Sequence, residues 1–411
     1  MTSRRTFLSA AGATAAMVAA PRLGNAQGAR KLVLYANVGP VLTHYDVDVE
    51  NLTLTARDSV TTPGGIVQYC WPHRNRRYFY AASSSNVPGA TDHSVTGYKI
   101  DPNTGALTQI GSIRLPARPI HMSLDKESRH ILVAFNIPSS LRVYRINKDF
   151  APGEEVPQAS IDCGIYAHQV RTTPDGKHVV LVTRGNEGTA QKPEDPGALM
   201  MWDYTDGMLS NQYKIAPNGG RGYGPRHLDF HPTKPWMYVS IETQNRMHMH
   251  RMQGGKPQQE VVFDKTTLLE PNNIRSRQAA STVHVHPNGR FLYGANRSQD
   301  LVDFNGQRVY KGGENSIVVY AIDAATGEPN PIQHIETRGI HPRTFHIDPS
   351  GRMMVVQHNL PVNVREGEEI RTVAAGLSVF RIADDGKLTF VRKYDVDVGD
   401  KIMFWMGMVP L

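Results

Sequence analysis

Three observations predict an all-β chain folded as a seven-bladed β-propeller. An apolar strand, a tight polar turn and a second apolar strand recur six times. A second, outer hairpin follows most of these copies. The two ends of the chain then supply the one strand pair that the count leaves missing. The clearest inner copies are LDFHPTKPWMYVSIE (228–242), VHVHPNGRFLYGANR (283–297), FHIDPSGRMMVVQHN (345–359) and QVRTTPDGKHVVLVTR (169–184). Weaker ones are QYCWPHRNRRYFYAA (68–82) and HMSLDKESRHILVAF (121–135), where Asp125 replaces the turn proline. Pro-x-Gly between two β-prone runs reads as a hairpin. Turn positions 72, 125, 174, 232, 287 and 349 are spaced by 53, 49, 58, 55 and 62 residues, room for four strands per repeat.

The outer hairpins run from GYKIDPNTGALTQI (97–110) to SVFRIADDGKLTFV (378–391), with THYDVDVENLTLT (43–55) ahead of the first inner copy. Seven outer pairs against six inner ones leave one inner pair, expected from KLVLYANV (31–38) and KIMFWMGM (401–408). Pairing the termini in one blade removes an open sheet edge. The propeller is therefore expected over residues 30–411 as one domain.

Residues 1–26 read separately. Ser3-Arg4-Arg5-Thr6-Phe7-Leu8, a run of small apolar residues and Gly24-Asn25-Ala26 have the form of a Tat export signal cleaved after Ala26. The Tat machinery is then an export partner, the location is periplasmic or secreted, and no stable membrane span is expected. Losing Arg4, Arg5 and Arg22 lowers the formal net charge from +7 to +4. No polybasic run remains, which argues against nucleic-acid binding. Cys70 and Cys163 fall on blades that are not neighbours and are expected as buried thiols.

Aligning the inner hairpins on their turns brings six pairs to one rim of the channel. They are Ile66/Ala82, Pro119/Phe135, His168/Arg184, Arg226/Glu242, Ser281/Arg297 and Arg343/Asn359. Blades 1 and 2 are apolar at these positions, and blades 3 to 6 gather arginines, a histidine and Glu242. Unlike charges converging in a desolvated channel need partners. The set is either a structural ion-pair ring or an anion site with one base. Insertions at 186–197, 298–315 and 361–372 leave from the same rim.

Ala167-His168, Gly224-Pro225-Arg226-His227-Leu228 with Glu242, Asn296-Arg297 and His341-Pro342-Arg343-x-Phe345 together resemble the lactonase β-propellers of the 6-phosphogluconolactonase and carboxymuconate cycloisomerase type. The resemblance implies a catalytic set of His168, Arg226, Glu242 and Arg297; Arg343, Arg184 and Asn359 from the same rim alignment, with His227 beside Arg226, are expected as substrate-binding neighbours. The resemblance also implies a lactone or other anionic small molecule as substrate. Glu242 is expected as general base, the arginines as oxyanion and carboxylate holders, and His168 as acid. No metal or organic cofactor is expected. Two other classes remain open on the residues alone. His121, His168, His227, His284 and His346 lie on innermost strands and would suit a metal or haem redox propeller. An arginine rim would equally suit a non-catalytic anion-binding or partner-binding propeller.

Overall fold

Strands buried on both faces are apolar through their middle, and the second strand of each inner hairpin is, with buried polar residues such as Ser240, Asn296 and Gln357 toward the rim. In a computed structural model that describes residues 31–85 and 91–411, His130–Asn136 buries all seven of its residues. The odd positions Ile131, Val133 and Phe135 face blade 1, and Leu132 and Ala134 face blade 3. The same alternation holds around the molecule. The core is divided into seven apolar clusters, one in each seam between adjacent blades. Side chains pointing alternately to the two faces of a strand produce this arrangement directly.

The seven blades are antiparallel sheets of four strands, with one additional short strand in blade 4. The innermost strands of blades 1 to 6 are Ile66–Pro72, Pro119–Leu124, Ala167–Thr172, Pro225–Phe230, Ala279–Val285 and Pro342–Ile347. Blade 7 takes its innermost strand, Met406–Pro410, from the C-terminus and its second, Leu32–Val38, from the N-terminal side. They pair from Leu32 opposite Pro410 to Ala36 opposite Met406, so the ring closes through the expected terminal blade. The expected export signal lies outside the described residues.

Polar latches repeat at the seams. The Tyr35, Tyr80, Tyr238 and Tyr293 hydroxyls each donate to a carbonyl of the next blade's outer turn: Gly105, Phe150, Gly327 and Gly386, at 2.7 to 2.9 Å. The His-Pro turns carry a second latch. His231 accepts the amides of Thr233 and Lys234 on Nδ1, and its Nε2 lies 2.9 Å from the Gly289 carbonyl of blade 5. His286 repeats this toward Gly351 of blade 6. Cys70 and Cys163 are buried and not bonded to each other, and burial pushes both thiols up.

Two outcomes are expected. Deleting residues 406–411 leaves blade 7 without its axial strand, so the cooperative melt of the full chain is lost; a truncated protein melting like the intact one would refute the closure. Burial lowers the His231 pKa, against its bond to Gly289. Because the folded value lies below the unfolded value of about 6.5, the unfolded chain takes up the proton first as pH falls. Stability is complete above about pH 6.5 and declines below it. The Tm should drop between about pH 7 and 5, and His231→Gln should flatten part of that drop.

Candidate active site

One device places a side chain from each of six blades at the axis. Each of these innermost strands carries a β-bulge near its rim end, between Val67 and Tyr69, Pro119 and His121, Ala167 and Gln169, Pro225 and His227, Ala280 and Val283, and Pro342 and Thr344. A bulged residue leaves the ladder and re-aims its side chain. The extra residues are Gln68, Ile120, His168, Arg226, the Ser281-Thr282 pair and Arg343. Gln68, Ile120, His168, Arg226, Thr282 and Arg343 line one axial pocket, closed by Phe404 and Trp405 beside blade 7.

This arrangement corrects the turn-based alignment. The inner hairpins of blades 1 and 2 are shorter from turn to bulge, so counting back from the turn overshoots. Ile66 faces Ser84, and Ala82 faces Tyr69. The true counterparts of His168 and Arg226 are Gln68 and Ile120, and blade 1 is polar at this level. Pro119 does face Phe135.

On the rim side of the bulge layer lies the buried Glu242, whose amide bonds the Gly224 carbonyl two residues before Arg226. Its Oε2 accepts from Arg184 Nη1 at 3.1 Å, and its Oε1 pairs with Arg226 Nε at 3.2 Å and with Arg297. Burial pushes this carboxyl up, but Arg297, Arg226 and Arg184 outweigh it and hold the pKa at about 2. Arg226 also donates to Ser281 Oγ at 3.2 Å. Burial and the Arg297 charge bring its pKa down to about 9, so it stays protonated at neutral pH.

Arg343 differs from these three. Its guanidinium stacks 3.6 Å from the Phe404 ring, and among the described residues no carboxylate lies within ion-pair distance of it. Burial, then Arg226 and Arg297, disfavour its charged form. A bound anion would relieve that cost. His168 has a buried Nδ1 with no hydrogen-bond partner. Burial, then Arg226 and Arg343, push its pKa well below the usual value, leaving a neutral imidazole.

The other expected residues divide. His227 lines the axial pocket, its ring 5.2 Å from His168 and 6.1 Å from His121 in edge-to-face contacts. Asn359 is buried beyond the pocket with its Oδ1 unpartnered, and its carbonyl accepts from Met403. His284 and His346 lie deeper, beside Asp229 and its Arg171 ion pair. Among the described residues, no three histidine, cysteine, aspartate or glutamate side chains are grouped as a metal site needs.

Sequence reasoning missed Gln68, which accepts two bonds from Arg118 at 3.1 and 2.9 Å. It missed Phe404, held where Asn37 Oδ1 accepts the Phe404 and Trp405 amides. It also gave no role to His341, although the His341-Pro342-Arg343 run points to it.

The chain matches the model of the lactonase seven-bladed β-propeller family over residues 35–366. It belongs to that family. A 6-phosphogluconolactonase of Bacillus subtilis is 24% identical to this lactonase-family chain over 326 residues, 76% of this chain and 83% of its own length. A periplasmic gluconolactonase of Pseudomonas aeruginosa superposes with a TM-score of 0.68 at 19% identity, covering 92% of this chain and 99% of its own. A hydrazine synthase of Kuenenia stuttgartiensis shares the fold at a TM-score of 0.50 and 14% identity, over 80% of this chain and 96% of that one. The fold alone therefore does not choose the chemistry.

Glu242→Gln should leave three guanidinium groups without their counter-charge and cost about 3–5 kcal/mol of stability. Chemical denaturation checks this, and a loss below about 1 kcal/mol would show that the cluster does not depend on Glu242.

Proposed function

We propose that the protein is a hydrolase that opens a lactone bearing a carboxylate or similar anionic group. The observation that carries this reading is Arg343, a buried cation without a carboxylate partner, in one pocket with the neutral His168. Family membership supports it, as do the names of two relatives, a 6-phosphogluconolactonase and a periplasmic gluconolactonase.

In this reading water attacks the lactone carbonyl while His168 Nδ1 takes its proton. Arg226 and Arg343 hold the oxyanion and the substrate's own charge. The ring C–O bond then breaks, and the proton passes from His168 to the departing oxygen, giving a hydroxy acid. The base expected from sequence was Glu242, but both of its oxygens are engaged by Arg184, Arg226 and Arg297, whereas His168 lines the pocket and its Nδ1 has no hydrogen-bond partner. Its role here is to keep Arg184, Arg226 and Arg297 in place. His227 packs against His168 and fixes its ring. The sequence asks for no metal or organic cofactor in these steps.

The twin-arginine start supports export to the periplasm or beyond, with residues 30–411 as the working domain. Among the described residues, no helix is long and apolar enough to cross a membrane.

The test is acid release from sugar lactones and carboxylated lactones, followed by pH-stat. His168→Gln should lower kcat by about 10²–10⁴-fold, and Arg343→Met should raise KM most for the carboxylated lactones. Anion binding without turnover by the native protein would leave a binding propeller instead. Because the His168 pKa is lowered, the base stays unprotonated well below about pH 6.5, so kcat/KM should hold steady from about pH 8 to 6. An acid limb at or above about 6.5 would count against His168 as base.

A further inference from the structure

Two of the three insertions fold into hairpins over the site. Leu301–Phe304 pairs with Gln307–Tyr310, and Val362–Glu366 pairs with Glu369–Val373. The hairpins pack on each other, with the Arg365 guanidinium 3.7 Å from the Phe304 ring. Beneath them is a crevice of about 310 Å³. Its apolar wall is Leu301, Leu360, Pro361 and Val362, and its cationic wall is Arg277 and Arg308. Leu360 remains 38% exposed, so this wall lacks a cover.

The charges facing the crevice do not cancel. Asp300 is tied to Lys311 at 3.3 Å and to the Leu301 amide. Arg308 donates to the Leu301 carbonyl, and among the described residues neither Arg277 nor Arg308 has a carboxylate within ion-pair distance.

His341 joins the crevice to the arginine cluster. It lines the crevice, and Arg297 and Arg343 are close enough to depress its pKa further below what burial sets. Its φ is +57°, in the left-handed region that few residues other than glycine adopt. Asn315, at the root of the blade 5 insertion, holds it there by accepting its amide at 2.8 Å. Its buried Nδ1 has no hydrogen-bond partner.

We infer that the crevice is the second half of the binding site and that the substrate is a lactone carrying, besides the anionic group held at Arg343, an apolar arm that ends in a second carboxylate. The arm lies between Leu360 and Val362 on one side and Arg277 and Arg308 on the other, with His341 at its junction with the ring. The inference rests on the lactonase reading for the identity of the ring, and on the crevice alone for the arm.

Isothermal titration with two lactams, one bearing a carboxypentyl chain and one bare, probes the crevice without turnover. The armed lactam should bind the native protein at least about tenfold more tightly. Arg277→Glu combined with Arg308→Glu should abolish most of that preference. Equal affinity, binding of neither lactam, or a preference that survives the charge reversal would overturn the inference. The corresponding lactones, assayed in parallel, separate the two claims. Turnover without arm preference sinks the crevice and leaves the hydrolase. Arm preference in the lactams without turnover of either lactone sinks the hydrolase and leaves the crevice.

Discussion

Burying guanidinium groups at the axis requires an internal anion, and Glu242 is that anion. Three blades meet on its two oxygens: Arg184 from blade 3, Arg226 from its own blade 4 and Arg297 from blade 5. Without a carboxylate at this point, each desolvated cation would have to be neutralised or exposed. With it, three guanidinium groups against one carboxylate still leave excess positive charge, and Arg343, with no carboxylate within ion-pair distance among the described residues, adds to it. The site is therefore built to remain incomplete until something negative arrives. Burial keeps His168 neutral, and the same excess of cations adds to this by resisting a further proton.

The seven-fold architecture was legible because its signals are local. A Pro-x-Gly turn between apolar runs needs only a dozen residues, and strands buried on both faces show as apolar stretches such as ILVAF (131–135). Terminal closure followed from counting. Most of the site was legible too, for a less direct reason: in blades 3, 4 and 6 the turn-to-bulge length is equal, so counting from the turn landed on His168, Arg226 and Arg343. It failed in blades 1 and 2, where shorter hairpins hide Gln68 and Ile120. A bulge has no residue signature of its own, and its position emerges only from the pairing of two strands. Phe404 was illegible because the sequence puts it inside the closing strand, expected over 401–408, whereas that strand is Met406–Pro410 and Phe404 lies just ahead of it, against Arg343. The protonation of Glu242 was not legible from sequence, because burial raises a carboxyl pKa and flanking arginines lower it, and the balance depends on how many of them reach its two oxygens.

Rigidity around the pocket has its source in the seams. Each apolar cluster belongs to two blades, and tyrosine hydroxyls and His-Pro turns tie neighbours at the outer and lower edges. Loops at the upper rim can then lengthen without disturbing the ladders below. Two of them, from blades 5 and 6, have lengthened enough to form hairpins that meet each other, so the roof of the site belongs to two blades as the seams do.

The bulges have one further consequence. A residue outside the ladder can be exchanged without breaking a backbone bond between strands. Blades 1 to 6 each present such a position at about the same height along the axis, so the pocket wall can change one blade at a time without disturbing the ladders. A neutral exchange, as between amide and aliphatic at blades 1 and 2, leaves the frame as it is. A charged one is different, because blades 3 to 5 are linked through Glu242 and a new guanidinium needs its own counter-charge.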